Sequence, residues 1–315
     1  MKRASHTLAA LAALTLSAGP APAQRGEAPY FVVEKNRGYA RLQDAVDAIG
    51  NGRGTIRFAA RSFADCAVQQ GGEITYVAAV PGKAVLDGVT CQGKAALVLK
   101  GRSARIEGLV FANMRVPDKN GAGIRLEKGN LSVSQAWFRD SEQGILTAAD
   151  PSATITIDKS TFTRLGTCAG GGGCAHSIYV GGYGGLTVTR SRFEAGTGGH
   201  YVKSRAPRIA ISGSSFDDTA GRGTNYMIDL PNGAHGVVEH NWFVQGRDKE
   251  NYSAFIAVAA NDTTHSSEGL TIRDNDARFA PGVSRRSAFV ADWSGQNLVL
   301  ADNALDADLK RYERR

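Results

Sequence analysis

The chain reads as an all-β protein wound into a right-handed parallel β-helix solenoid, and three features of the sequence predict that fold. The first is a recurring phrase: two alternating apolar positions, then a large apolar residue five places after the second. It runs Ile106 to Phe111, Val133 to Phe138, Ile157 to Phe162, Val188 to Phe193, Ile211 to Phe216 and Val238 to Phe243. The second is the spacing from Phe to Phe of 27, 24, 31, 23 and 27 residues. That is the period of a solenoid, whose repeats bury their apolar faces only against their neighbours. The period varies while the phrase does not, so the strands are fixed and the turns absorb insertions. The third is a further short strand between phrases, such as Ser177 to Val180, Tyr201 to Ser204, Met227 to Leu230 and Phe255 to Val258.

At the start, Met1-Lys2-Arg3, an apolar run from Leu8 to Ala18 and Ala21-Pro22-Ala23 form the pattern of a secretory signal peptide over residues 1–23. A periplasmic or secreted protein is therefore expected. No other stretch reaches membrane-spanning length, and no membrane partner is expected. Residues 24–310 form one β-helix domain without a linker. Within it, Leu42, Ala45, Val46 and Ile49 recur at helical spacing and end at Gly50-Asn51-Gly52, which predicts a capping helix over about residues 38–50. An open first coil would expose apolar interior and strand edges, so a cap belongs there. Strands Gly54 to Phe58, Glu73 to Val77 and Lys83 to Leu86 then begin the winding. At the other end the phrase weakens at Ile272, recovers once from Leu300 to Leu305, and gives way to a charged tail, residues 311–315.

Side chains alternate across a strand. If Ile178, Val202, Ile228 and Ile256 face inward, then Tyr179, Lys203, Asp229 and Ala257 face outward. The steps from Ile178 to Val188, Val202 to Ile211 and Ile228 to Val238 are 10, 9 and 10 residues, which supports a common register. Tyr179, Lys203 and Asp229 should then form one exterior column on consecutive coils. Unusual turns flank it: His176, Gly198-Gly199-His200, Ser204-Arg205-Ala206-Pro207 and Pro231-Asn232-Gly233. A longer lateral loop, containing Asn261 to His265, is placed to form a wall of a groove. Asp217-Asp218 follows Phe216 and reads as a solvated turn pair.

The four cysteines all lie in the exported part, and an even count there favours disulfides over metal. Cys168 and Cys174 bracket a loose Ala-Gly-Gly-Gly-Gly loop, which leaves Cys66 to pair with Cys91. A zinc site with His176 would require reduced cysteines, so no metal is expected there. The formal charge of +7 becomes +5 once Lys2 and Arg3 leave with the signal peptide. That balance suits an acidic glycan partner as well as mere solubility. Basic residues are scattered, without a basic helix or an aromatic stacking motif, which disfavours nucleic acid.

These repeats resemble those of the pectin lyase-like right-handed β-helix superfamily, which includes polysaccharide lyases, polygalacturonases and uronate epimerases. Val202-Lys203-Ser204 is similar to the strand-borne Lys-Ser of alginate and chondroitin lyases, whose lysine is the base, though Asp229 and Pro231-Asn232 replace their arginine-bearing strand. The polygalacturonase motifs that should accompany Asp217-Asp218, and the pectate lyase Trp-Ile-Asp-His motif, are absent. The resemblance implies an acidic polysaccharide as the partner, and a monomer is expected.

Lyase and epimerase chemistry both begin by removing the proton beside a uronate carboxylate, after a cation has neutralised that carboxylate. Arg205 is the candidate neutraliser, Lys203 or His200 the candidate base, and Tyr179 or His176 the candidate acid. Asp229, one coil from Lys203, favours the charged ammonium; a tight pair would make Lys203 a carboxylate binder rather than a base. Tyr201, Asn232 and Tyr183 are candidate substrate-binding residues. No cofactor is expected; Ca²⁺ is the alternative, although Asp229 with Asn232 is a thin ligand set for it. Non-catalytic glycan binding is a second reading. Hydrolysis is a third, needing a second carboxylate opposite Asp229, and Glu194 and Asp217 sit past the strand-ending Phe.

Overall fold

The computed structural model describes residues 28–315, so the signal peptide assigned to residues 1–23 lies outside the described residues. The chain winds into a parallel β-solenoid of about nine turns. Its strands fall into a 12-stranded sheet A and two 10-stranded sheets, B and C, visited in the order A, B, C on each turn. Strands of one sheet pair in parallel with those of the next turn, so a side chain stacks on its equivalent one coil away.

The six phenylalanines of the repeating phrase lie in sheet B and face the interior. Phe111, Phe138, Phe162, Phe193, Phe216 and Phe243 are all buried. Their rings stack with centroids 4.8–4.9 Å apart, close to the spacing of neighbouring strands. Ala277 and Leu305 continue the column where the phrase weakens.

The corner between sheets A and B carries a device that apolar periodicity does not reveal. One residue per coil adopts a left-handed conformation there, including Lys159, Arg190, Gly213, His240 and Asp274. The Ser or Asn that follows accepts a hydrogen bond from its equivalent on the preceding coil. Ser160 N–H donates to Ser191 Oγ (3.2 Å), Ser191 to Ser214 (3.0 Å), Ser214 to Asn241 (3.0 Å) and Asn241 to Asn275 (3.0 Å). These buried amides point along the axis and cannot join a sheet, so the side-chain ladder satisfies them.

Helix α1, Leu42–Ile49, buries Leu42, Ala45 and Val46 over the first coil. Strands Tyr30–Val32 and Arg37–Tyr39 close the same end by antiparallel pairing. At the other end the charged residues 311–315, expected to lie beyond the solenoid, mostly extend it. Strand Leu309–Arg314 pairs in parallel with Ser287–Asp292. Leu309 is buried and Tyr312 half-buried, its hydroxyl donating to Asp292 Oδ2 at 2.7 Å, while the intervening charges face water. Both disulfides, Cys66–Cys91 and Cys168–Cys174, are formed. No described helix is long and apolar enough to cross a membrane.

Candidate active site on sheet C

Sheet C stacks Ile178, Val202, Ile228 and Ile256 inward and Tyr179, Lys203, Asp229 and Ala257 outward, in the register the sequence predicts. The outward column is not uniformly exposed. The Lys203 side chain is 16% accessible and that of Asp229 only 4%. Further along, Ala257 and Ala291 are buried in a cluster with Tyr226 and Trp293. On the earlier coils the column runs Val68, Val98, Arg125 and Leu146, with Val98 buried and Arg125 paired to Glu127. The polar column thus lies between Leu146 on the preceding coil and the buried alanines that follow.

Lys203 Nζ lies 3.2 Å from Asp229 Oδ2, and His200 Nε2 lies 3.4 Å from the same oxygen. Asp229 Oδ1 and His200 Nδ1 are buried without partners. Burial pushes the Asp229 carboxyl above its usual range, with Lys203 and Arg205 opposing the shift. His176 and His200 stack with centroids 4.9 Å apart, and Tyr226 continues the stack at 5.6 Å. Burial first, then the neighbouring His200 for His176 and Lys203 for His200, holds both imidazoles well below their usual range. The backbone N–H of His200 donates to His176 Nδ1 at 3.0 Å, so the neutral His176 ring carries its proton on Nε2.

The turn leaving sheet C supplies the other flank. Arg205 Nε donates to the Tyr179 hydroxyl at 2.9 Å, and its guanidinium also bonds Asn232 Oδ1. Asn232 Nδ2 donates to Asp262, at 2.9 Å to Oδ1 and 2.7 Å to Oδ2. The His265 ring meets the Arg205 carbonyl at 3.1 Å. Lys203 Nζ stands 5.7 Å from the Tyr179 ring centroid, with the Arg205 guanidinium carbon at 5.9 Å. One phenol therefore has two cations against it, and the lateral loop locks one of them in place. Asp262 and His265 come from the lateral loop that the sequence places as a wall of a groove, while Tyr226 joins the site without having been singled out.

Two substrate-binding candidates move to the interior. Tyr201 is buried, its ring edge-on to Phe193 and Phe216, because the chain turns inward at the corner before Val202. Tyr183 is buried at the start of strand Tyr183–Thr189, opposite a register irregularity between Asp150 and Thr154. Neither can meet a glycan at the surface. The Asp217-Asp218 pair divides likewise. Asp217 faces outward, but Asp218 keeps the inward face of Phe216 and is wholly buried with Lys249, Nζ to Oδ2 3.1 Å. Tyr201 Oη and Thr224 Oγ1 donate to Asp218 Oδ1 at 2.7 and 2.8 Å. Asn232, weighed as a Ca²⁺ ligand, has its amide oxygen engaged by Arg205. Glu194 and Asp217 lie on sheet B rather than beside Asp229.

No family model matches the sequence, and no curated protein matches it. Among solved structures the chain is similar to ORF18 of Geobacillus virus E2, with a TM-score of 0.51 and 14% identity. The alignment covers 86% of this chain and 56% of that one, so the chain spans just over half of its neighbour's length. The likeness is one of fold. It places this solenoid beside another without bearing on what sheet C does.

Proposed function

We propose that this is an exported β-helix protein of the pectin lyase-like kind that acts on an acidic, uronate-containing polysaccharide by β-elimination or C5-epimerisation. The observation that carries the reading is the Tyr179 phenol, bonded by Arg205 Nε at 2.9 Å and flanked by Lys203. Lys203 is paired with Asp229 and so serves as a cation rather than as the base. Together Lys203 and Arg205 would neutralise the uronate carboxylate, which makes the adjacent C5 proton removable. Neither histidine offers a free basic nitrogen: His176 Nδ1 is occupied and His200 Nδ1 is buried. Tyr179 is left as the proton carrier. In the proposed step Tyr179 acts as the phenolate, held by Arg205 and Lys203; its oxygen takes the C5 proton and becomes the neutral phenol. In elimination the C5 electron pair forms the C4–C5 double bond as the C4–O bond breaks, and the phenol protonates the leaving oxygen. In epimerisation water on the opposite face returns a proton to C5, and the phenol gives the proton it took to solvent.

The test is a panel of acidic polysaccharides followed by the ultraviolet absorbance of the unsaturated uronate and by C5 proton exchange in deuterated water. On the glycan that responds, Tyr179→Phe should lower kcat by about 10²-fold or more. Arg205→Ala should cost a comparable factor in kcat/KM, with circular dichroism unchanged. Near-normal turnover in both variants would remove the column as the active site. Binding without double bond or exchange would instead select non-catalytic glycan recognition, a reading favoured by the Lys203 ammonium already being paired.

A further inference from the structure

A second concavity opens on the earlier coils, where the turns leaving sheet C enter sheet A. Two hollows of about 440 and 320 Å³ adjoin there and share Asn130. The first is lined by Lys100, Arg102 and Lys128. The second lies over an outward column of sheet A in which Thr75, Arg105, Ser132 and Thr156 stack in register on consecutive coils. Across both, five cations face two carboxylates.

Those carboxylates are already engaged. Glu73 is held by Arg53 at 2.6 Å and Arg102 at 3.2 Å. Asp150 accepts from Gly129 N–H at 2.8 Å and from Ser152 Oγ at 2.6 Å. Arg105 is paired with Glu107 at 3.5 Å, while Lys100 and Lys128 make no ion pair among the described residues, so the unpaired positive charge is concentrated on two ammonium groups of adjacent coils. No aromatic side chain lines either hollow, which removes the stacking platform that a single-stranded nucleic acid would use. What remains is a trough of hydroxyls, amides and free cations, complementary to a ligand that is both polyhydroxylated and anionic.

We propose that this trough is an accessory binding site for an acidic glycan, with Lys100 and Lys128 taking its carboxylate or sulfate groups and the Thr75–Ser132–Thr156 column its hydroxyls. The site stands on another face than Tyr179, with its two lysines on earlier coils, so it goes beyond the reading of sheet C and does not depend on it. Calorimetry on the full chain carrying Lys203→Ala and Arg205→Ala isolates it. The probes are a galacturonic acid hexasaccharide, a heparin hexasaccharide and neutral cellohexaose; the first two separate carboxylate from sulfate recognition. At least one acidic probe should bind, more weakly as salt rises, while cellohexaose should not. Adding Lys100→Gln with Lys128→Gln should weaken that binding tenfold or more and flatten its salt dependence. Thr156→Val, an exposed floor position, should weaken it without changing the salt slope, a check that survives should the lysine variant misfold. Failure of both acidic probes to bind, equal binding of cellohexaose, or undiminished binding in the folded lysine variant would overturn the proposal. None of these outcomes bears on turnover at Tyr179.

Discussion

His176 and His200 set a sign on how this protein should respond to acid. Both imidazoles are buried and held well below 6.5. The unfolded chain would take up protons below about pH 6.5 that the folded chain refuses, so stability is intact above that range and is lost as pH falls through it. Asp229 acts in the opposite sense. Its folded value is raised above 3.8 by burial. Its contribution is present with the proton on, at low pH, and is lost as pH rises through the folded value. Two imidazoles titrate in this window against one carboxyl, and the melting temperature is expected to drop between about pH 7 and about pH 5. His176→Asn, which keeps an acceptor for the His200 amide, should flatten that drop; an unchanged slope would mean that His176 does not enter the folded state neutral. The outward positions Tyr179, Lys203 and Asp229 were legible because strand alternation fixes which way a side chain points. The burial of His176, His200 and Tyr201 was not, because these sit at corners, where the chain direction changes; Asp218 keeps the alternation from Phe216, but past the strand end nothing in the sequence said that it would persist.

At the scale of elements, the turns from sheet B to sheet C are tied together by Asp218 and Lys249. The pair is fully buried, and it gathers Tyr201 from one coil, Thr224 from the next and the Gly246 amide, at 3.3 Å, from the one after. Burial lowers the Lys249 ammonium from its ordinary value, with Asp218 opposing the shift. Removing one partner would leave the other charge buried and unpaired. Lys249→Met should therefore cost about 3–5 kcal/mol in urea unfolding, and adding Asp218→Asn should recover part of it. A loss below about 1 kcal/mol would mean that water reaches Asp218. Such staples are hard to read from sequence: Asp218 and Lys249 are 31 positions apart, and only the coil register brings them together. The Ser and Asn ladder beside sheet B is equally silent, since a hydroxyl or amide after an αL residue has no signature in hydropathy. The phenylalanine column, by contrast, announces itself through period and residue type at once.

Over the whole molecule, strands pair only with those of neighbouring coils, so stability is shared locally and the ends are its weak points. The two ends are built differently. At the first coil, α1 and an antiparallel strand pair cover the interior and bury Leu42, Val46 and Tyr30. The last coil has no such cover among the described residues: Leu300, Leu305 and Tyr312 are only partly buried, and Val299 is 48% exposed. Its edge strand, Leu309–Arg314, carries Lys310, Arg311, Glu313 and Arg314, the charges that keep an exposed edge from recruiting another strand. Unwinding should therefore begin at the end that lacks a lid and pass inward coil by coil. In hydrogen exchange read by mass spectrometry, amides of Val299–Ala301 and Leu309–Arg314 should exchange first. Those of Ser287–Asp292 should follow, and the coils around Phe193 and Phe216 should exchange last. The stapled middle, which carries the Tyr179 column, would then keep its geometry while the end frays. Exchange of all coils at one rate would contradict this and mark the solenoid as a single cooperative unit.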